Sequence, residues 1–186
     1  AYGEWAENYD KDLIDEMGYT APVVASQLLR GYLGDQNASI LDAGCGTGLV
    51  GAELHQNGYR NLEGFDYSAQ MLEQARAKQV YTELHQGDLT GRLELADDSY
   101  DAIISVGTFT SGHVGPEAFA ELIRITKPGG YLCFTVRDSA WEEDNYRVAM
   151  DKIEQSGAWI RVEEQTAAYI QQDVSNCNVC VYQKGI

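Results

Sequence analysis

Three carboxylates stand where apolar runs end: Asp42 closing Ile40-Leu41-Asp42, Asp66 closing Leu62-Glu63-Gly64-Phe65-Asp66, and Asp88 in the turn Gln86-Gly87-Asp88. After the first comes a glycine-dense turn, Gly44-Cys45-Gly46-Thr47-Gly48. Glycines there let backbone approach a ligand without Cβ interference, and a carboxylate ending the next strand is placed where a ribose would lie. A carboxylate is also a natural bidentate acceptor for two vicinal hydroxyls. The pattern describes a nucleoside-bearing cofactor held at the switch point of an α/β sheet.

Two cofactors compete for that site. Gly46-Thr47-Gly48-Leu49-Val50-Gly51 matches the G-x-G-x-x-G string, which points to a dinucleotide and to an NAD(P)-binding oxidoreductase or epimerase. Asp42 argues the other way, because a buried carboxylate faces a pyrophosphate unfavourably and suits a cation. At 186 residues the chain also has little room for a separate substrate domain beside a full dinucleotide fold. An adenosine carrying a positive centre and no phosphate, S-adenosylmethionine, fits better. A non-catalytic S-adenosylmethionine-binding module is the third reading.

A sulfonium methyl is already activated, so alignment of an in-line nucleophile is the main requirement, with about 7–11 kcal/mol available from positioning. His113, in the loop after the fourth strand, is the candidate general base, and a role in shaping the turn before Pro116 weighs equally. His55 and His85 fall in a helix and a strand. Arg137 is the candidate for an anionic group of the acceptor, with pairing to Asp138 as its structural alternative. No metal site is expected. Cys177 and Cys180 are three apart in a strand, where they point to opposite faces, and all four cysteines read as structural.

The elements that must position these groups alternate along the chain. Trp5, Tyr9 and Leu13 mark an N-terminal aromatic helix, and a second helix follows Thr20 with Pro22 in its first turn. Strands are expected over 39–42, 61–66, 80–85, 100–106 and 131–136. Helices are expected over 49–56, from Ser68 as N-cap, from Pro116, and over 146–155. Lys127-Pro128-Gly129-Gly130 ends the helix before the fifth strand. Two β-type runs, 159–169 and 179–184, have no helical segment between them and are expected to pair antiparallel. The expected fold is α/β, a Rossmann-like doubly wound sheet with a C-terminal antiparallel hairpin. Within one domain over 1–186, residues 1–34 form a helical lid, 35–157 the cofactor core and 158–186 the hairpin.

With 13 basic and 29 acidic residues the net charge is −16, a field that repels phosphate backbones and anionic lipid heads. Nucleic acid is therefore a disfavoured partner. No apolar run approaches the roughly 20 residues of a membrane span, no signal-peptide pattern opens the sequence, and a cytoplasmic location is the expectation.

Asp42-Ala43-Gly44-Cys45-Gly46-Thr47-Gly48 resembles the motif of class I S-adenosylmethionine-dependent methyltransferases, and Lys127-Pro128-Gly129-Gly130 before a strand is similar to their post-helix loop. A narrower resemblance, to the methyltransferase-like proteins named after the Williams–Beuren syndrome chromosomal region, runs through Trp5-Ala6, Tyr9-Asp10, Thr108-Phe109-Thr110, His113 to Pro116, Leu122-Ile123-Arg124 and Thr126 to Gly130. The resemblance implies that Asp42, Gly44, Cys45, Gly46, Thr47 and Gly48 line the methionine and ribose portion of the cofactor, with Tyr9 closing on its carboxylate. Asp66 would bind the ribose, Tyr67, Ser68 and Met71 would lie near the adenine, and Asp88 with Leu89 would meet its amine and edge. Ser105, Val106 and Gly107 would face the sulfonium. Apart from the resemblance, Thr108 is placed with His113 and Arg137 on the acceptor side. Blander readings stand beside these: Met71 as core, Tyr9 as a staple, Asp88 as a turn cap. Motifs of amino-methylating nucleic-acid enzymes and of cytosine-C5 enzymes do not occur in the sequence, which leaves a small molecule or a protein side chain as the acceptor, and the expectation of a single domain without added recognition modules favours the small molecule.

Overall fold

Strand one, β1 (Ile40–Ala43), is buried at all four positions, as a strand covered on both faces must be. Its side chains alternate between two cores. Leu41 and Ala43 join one cluster with Ile103, Phe119 and Leu122, while Ile40 joins the other with Ala102, Ile104, Val50 and Leu54. The computed structural model describes residues 20–110, 114–170 and 175–186.

The order of the elements is α1 (Ala21–Arg30), β1, α2 (Leu49–Gln56), β2 (Leu62–Asp66), α3 (Ala69–Ala77), β3 (Glu83–Gln86) and β4 (Tyr100–Phe109). A 3₁₀ turn (Pro116–Ala118), α4 (Phe119–Ile125), β5 (Thr126–Arg137), α5 (Asp138–Glu143), α6 (Tyr146–Gln155), β6 (Trp159–Ile170) and β7 (Ser175–Lys184) follow. The described strands form one seven-stranded sheet in the order β3-β2-β1-β4-β5-β7-β6. The first five run parallel, and β7 lies antiparallel between β5 and β6. The order reverses between β1 and β4, which makes the carboxyl ends of those strands the switch-point crevice. The expected doubly wound sheet and the antiparallel tail strands are both present.

Local chemistry accounts for the elements beside the crevice. Ser68 caps α3, its hydroxyl accepting from the Met71 N–H at 3.3 Å. Arg124, at the end of α4, donates to the carbonyls of Leu93 and Leu95 and pairs with Glu121 and Asp97. Glu121 in turn accepts from the Leu93 N–H at 2.7 Å. That network holds the segment between β3 and β4, from which Asp88 and Leu89 project.

The differences from expectation are local. β3 begins at Glu83 rather than at residue 80, because Tyr81 leaves the strand path to reach Asp42. The Lys127-Pro128-Gly129-Gly130 loop ends α4 as expected, but its backbone already runs within β5, with a register shift against β4 at Tyr100/Ala102. The short helix α5 was not anticipated. Cys177 belongs to one core cluster and Cys180 to the other, so the pair does face opposite sides of the sheet. Burial pushes the Cys177 thiol up to about 11 and the Cys133 thiol up to about 12, which keeps both protonated.

Candidate active site

The carboxyl ends of β1, β2, β4 and β5 open into a cavity of about 770 Å³, within the roughly 300–1,000 Å³ of small-ligand sites. Its wall includes Asp42, Gly44, Cys45, Gly46 and Thr47 from β1 and the turn after it, and Asp66, Tyr67, Ser68 and Met71 from β2 and the start of α3. Asp88 and Leu89 come from the segment after β3, Val106, Gly107 and Thr108 from β4, and Arg137 from the end of β5. Most of the expected site residues are thus gathered in one place.

The turn is built around a close approach. Gly44 has φ +72°, and a Cβ there would run into the Thr108 Oγ1, which donates to the Ala43 carbonyl at 3.3 Å. Left-handed backbone disfavours any other L-residue by about 1–2 kcal/mol before that collision is counted. Gly44→Ala is expected to lower stability by about 1–3 kcal/mol in urea denaturation and to weaken cofactor binding. Adding Thr108→Ala should relieve only the collision, so recovery should be partial.

Asp66 organises the same turn. One carboxylate oxygen accepts from the Gly46 N–H at 2.9 Å and the other from the Ser68 N–H at 2.9 Å. Each carboxylate oxygen has two acceptor directions, so these bonds leave capacity for a pair of hydroxyls. Asp88 serves its own turn, accepting from the hydroxyl and N–H of Thr90 at 2.6 and 2.9 Å, and these bonds hold its carboxyl below the ordinary value. It lines the cavity as well as capping its turn.

Asp42 is 2% exposed, and Tyr81 donates to its Oδ2 at 2.5 Å. Burial pushes its carboxyl up to about 7, the Tyr81 hydroxyl pulls it down, and the charge of Asp66 raises it again. For an acid with a raised folded value, the stability that comes from holding the proton is complete below the unfolded value and is lost as pH rises through about 7. A cation seated beside Asp42 would offset that loss.

The remaining expected residues divide between the cavity and its supports. Ser105, expected to face the sulfonium, is fully buried with its hydroxyl donating to the Ala43 carbonyl at 2.7 Å, so it ties β4 to β1 and is not in the cavity wall. Gly48 is the N-cap of α2, and its Cβ direction points beneath the turn toward Tyr81 and Ala75. Met71 lines the cavity, while Leu72 and Ala75 of the same helix pack in the core. Tyr67 is 75% exposed at the rim. Tyr9 and His113 lie outside the described residues. The sequence reading gave no site role to Pro22, Leu49, Val50, Gly87, Thr90, Thr110 and Val114, which also stand in the wall. Thr110 and Val114 stand in segments already singled out around β4, whereas Pro22 was read only as a helix starter.

Among the described residues, Glu63, Glu83 and His85 bring one ligand atom each within 4.8 Å of one another. Glu63 and His85 are already engaged there: Glu63 Oε1 accepts from the Tyr100 hydroxyl at 2.9 Å and shares a hydrogen bond with His85 Nε2 at 2.7 Å, while Glu83 lies 4.0 Å from the same nitrogen. No described helix is long and apolar enough to cross a membrane.

The sequence profile described as a methyltransferase domain matches residues 40–130, from the start of β1 into the first half of β5. Methyltransferase-like protein 27 of Homo sapiens is 38% identical over 164 residues, covering 85% of this chain and 66% of the human protein. The chain belongs to the class I S-adenosylmethionine-dependent methyltransferases. That family's cofactor is S-adenosylmethionine and its chemistry is methyl transfer, as the Asp42–Gly48 turn led us to expect. A malonyl-[acyl-carrier protein] O-methyltransferase of Pectobacterium atrosepticum is 35% identical over 144 residues, 77% of this chain and 54% of that enzyme. The chain thus spans between about half and two thirds of these methyltransferases. The fold is shared with an S-adenosyl-L-methionine-dependent methyltransferase of Methanococcus maripaludis, at TM-score 0.71, 18% identity and coverage of 97% of this chain and 92% of the other. It is shared too with a chain of the complex between the Haloferax volcanii Trm112 methyltransferase activator and a methyltransferase, at TM-score 0.75, 21% identity and coverage of 100% and 98%.

Proposed function

We propose that the protein transfers the sulfonium methyl of S-adenosylmethionine to a small acceptor that carries an anionic group. The observation that carries this reading is the order of charges along the sheet edge. Asp88 follows β3, Asp66 ends β2 and Asp42 lies in β1, whereas Arg137 ends β5. Strands are about 4.8 Å apart, so the acidic and basic ends of the crevice are separated by roughly two strand spacings. Among the described residues of the wall, Arg137 is the one with a cationic side chain. A cofactor with hydroxyls and a positive centre suits the β1–β3 end, and an anion suits the β5 end.

The fit is chemical as well as spatial. Asp66 offers acceptors to a ribose, Asp42 a charge to the methionine ammonium, and the apolar Leu89 and Met71 surfaces to a purine. Bound there, S-adenosylmethionine supplies the methyl on a leaving sulfur. The protein's residues would hold the acceptor atom in line between β1 and β4 and exclude water. His113, which lies between β4 and the 3₁₀ turn in the sequence, is the residue we assign as general base for an acceptor that must lose a proton. A carboxylate acceptor would need none. The relatives named as acting on malonyl-[acyl-carrier protein] transfer to oxygen, and a malonyl group ends in a free carboxylate, which supports an anionic acceptor here.

Incubation with methyl-labelled S-adenosylmethionine and a small-metabolite extract should place label in an anionic compound. Label only in macromolecules, or binding of NAD(H) in preference to S-adenosylhomocysteine, would overturn the reading; tight binding with no transfer would favour a non-catalytic module. Arg137→Ala should raise the KM for that labelled acceptor about tenfold to a hundredfold, from the ~1.5–3 kcal/mol of a charged hydrogen bond, and leave S-adenosylhomocysteine affinity unchanged. Equal loss of both would refute the division of the crevice.

A further inference from the structure

Tyr81 is not in the cavity wall, yet its hydroxyl reaches Asp42, which is. It travels there beneath the glycine turn. A Cβ on Gly51 would collide with the ring and hydroxyl of Tyr81, and one on Gly48 or Gly64 would sit 3.2 and 3.3 Å from the same ring. Gly51 completes the G-x-G-x-x-G string but is not in the cavity wall, so here the string needs its last glycine for the passage of a tyrosine. Gly51 also supplies an N–H that pulls the Asp42 carboxyl and the Tyr81 hydroxyl downward. Three elements therefore converge on one carboxylate: β1 carries it, α2 donates an N–H, and the segment before β3 donates a hydroxyl.

We propose that Tyr81 is a positioning residue, whose phenol orients the Asp42 carboxylate and favours its charged form, so that it can receive the cationic methionine end of the cofactor. The inference rests on the cofactor reading given above. A side chain on a strand that needed only to be buried would not be met by a phenol at 2.5 Å. The opposing influences on Asp42 are strong: it is buried, and Asp66 lies close enough to raise it further. Cys45, beside it in the turn, is held protonated by burial and by those same two carboxylates. Lys78, at the end of α3, is spoken for by the Thr47 carbonyl at 2.6 Å. Arg137, on β5, borders the same cavity. Thr108 of β4 is uncharged, and the phenol and the Gly51 N–H are the groups that favour the charged carboxylate. Tyr81 itself keeps its proton, since burial and Asp42 push its hydroxyl well above the ordinary value.

The test is the pH dependence of S-adenosylhomocysteine affinity, by calorimetry between pH 5.5 and 8.5 on the whole chain. The wild-type protein should bind more tightly as pH rises through the ionisation of Asp42. In Tyr81→Phe, which keeps the ring that fills the slot, the acidic limb should move upward by about one pH unit or more, the shift that corresponds to losing one charged hydrogen bond. Affinity should then be about tenfold weaker near pH 6.5 and converge with wild type toward pH 8.5. In Asp42→Asn the limb should vanish, and adding Tyr81→Phe should change nothing further. A uniform loss of affinity at every pH would mean that Tyr81 is merely structural, and an unmoved limb would equally overturn the proposal. No binding by the wild-type protein at any pH would instead overturn the cofactor reading on which it rests.

Discussion

Asp66→Ala is expected to weaken S-adenosylhomocysteine binding by at least tenfold in calorimetry. Two contributions point the same way. A ribose held by a carboxylate loses charge-assisted hydrogen bonds of about 1.5–3 kcal/mol, and about 1.4 kcal/mol is a factor of ten. The second contribution is indirect, because Asp66 also accepts from the Gly46 and Ser68 N–H groups at 2.9 Å each, so its removal loosens the turn that the cofactor must meet. The two separate by comparing stability with affinity. If ligand contact dominates, the empty variant should melt near the wild-type temperature while affinity falls; if the turn dominates, both should fall together. Asp66→Asn refines the comparison. Its single carbonyl oxygen can serve only one of the two N–H donors, and its amide nitrogen meets the other donor head-on. An unchanged Kd in Asp66→Ala would refute the ribose assignment outright.

The sequence disclosed what periodicity and short-range chemistry determine. The run from Tyr100 is apolar nearly throughout because β4 is covered on both faces, and Leu49–Gln56 and Tyr146–Gln155 read as helices with the bounds they have in the structure. Ser68 was legible as an N-cap because capping is a local matter of a hydroxyl and an N–H three residues on. The opposite orientation of Cys177 and Cys180 followed from the two-residue repeat of a strand. Contacts between distant segments were not legible in the same way. Nothing near Tyr81 announces that it meets Asp42, 39 residues earlier in the chain, and the glycine that admits it looked like part of a phosphate-binding string. Ser105 misled for the related reason that a strand end at the crevice can face either the ligand or the neighbouring strand. Its hydroxyl found the Ala43 carbonyl. The site was legible as a set of carboxylates and glycines; the supports beneath it were not.

Trp159→Ala should cause the largest loss of stability of any substitution considered. Trp159 opens β6, is 2% exposed, and joins four elements. Its ring lies 4.2 Å from that of Tyr182 on β7, 5.2 Å from Phe119 on α4 and 5.9 Å from Phe134 on β5, and its indole N–H donates to the Met150 carbonyl of α6 at 3.2 Å. Truncating a buried aromatic of this kind costs about 3–5 kcal/mol. At roughly 2–4 °C per kcal/mol for a chain of this size, the melting temperature should fall by about 6–20 °C. The residue pairs with Lys184, and the neighbouring Gln183 pairs with Tyr131 early in β5, so Trp159 stands at the end of the sheet away from the crevice. S-adenosylhomocysteine affinity measured well below the new melting temperature should therefore be nearly unchanged. The shape of the transition matters as much as its midpoint. Phe134 and Tyr182 place the antiparallel strands in the same aromatic cluster as β5 and α4, so unfolding of wild type and variant should each follow one cooperative step. Two separable steps, with only the first moved by Trp159→Ala, would show that the C-terminal strands form a unit of their own and that the tail is an appendage to the cofactor core.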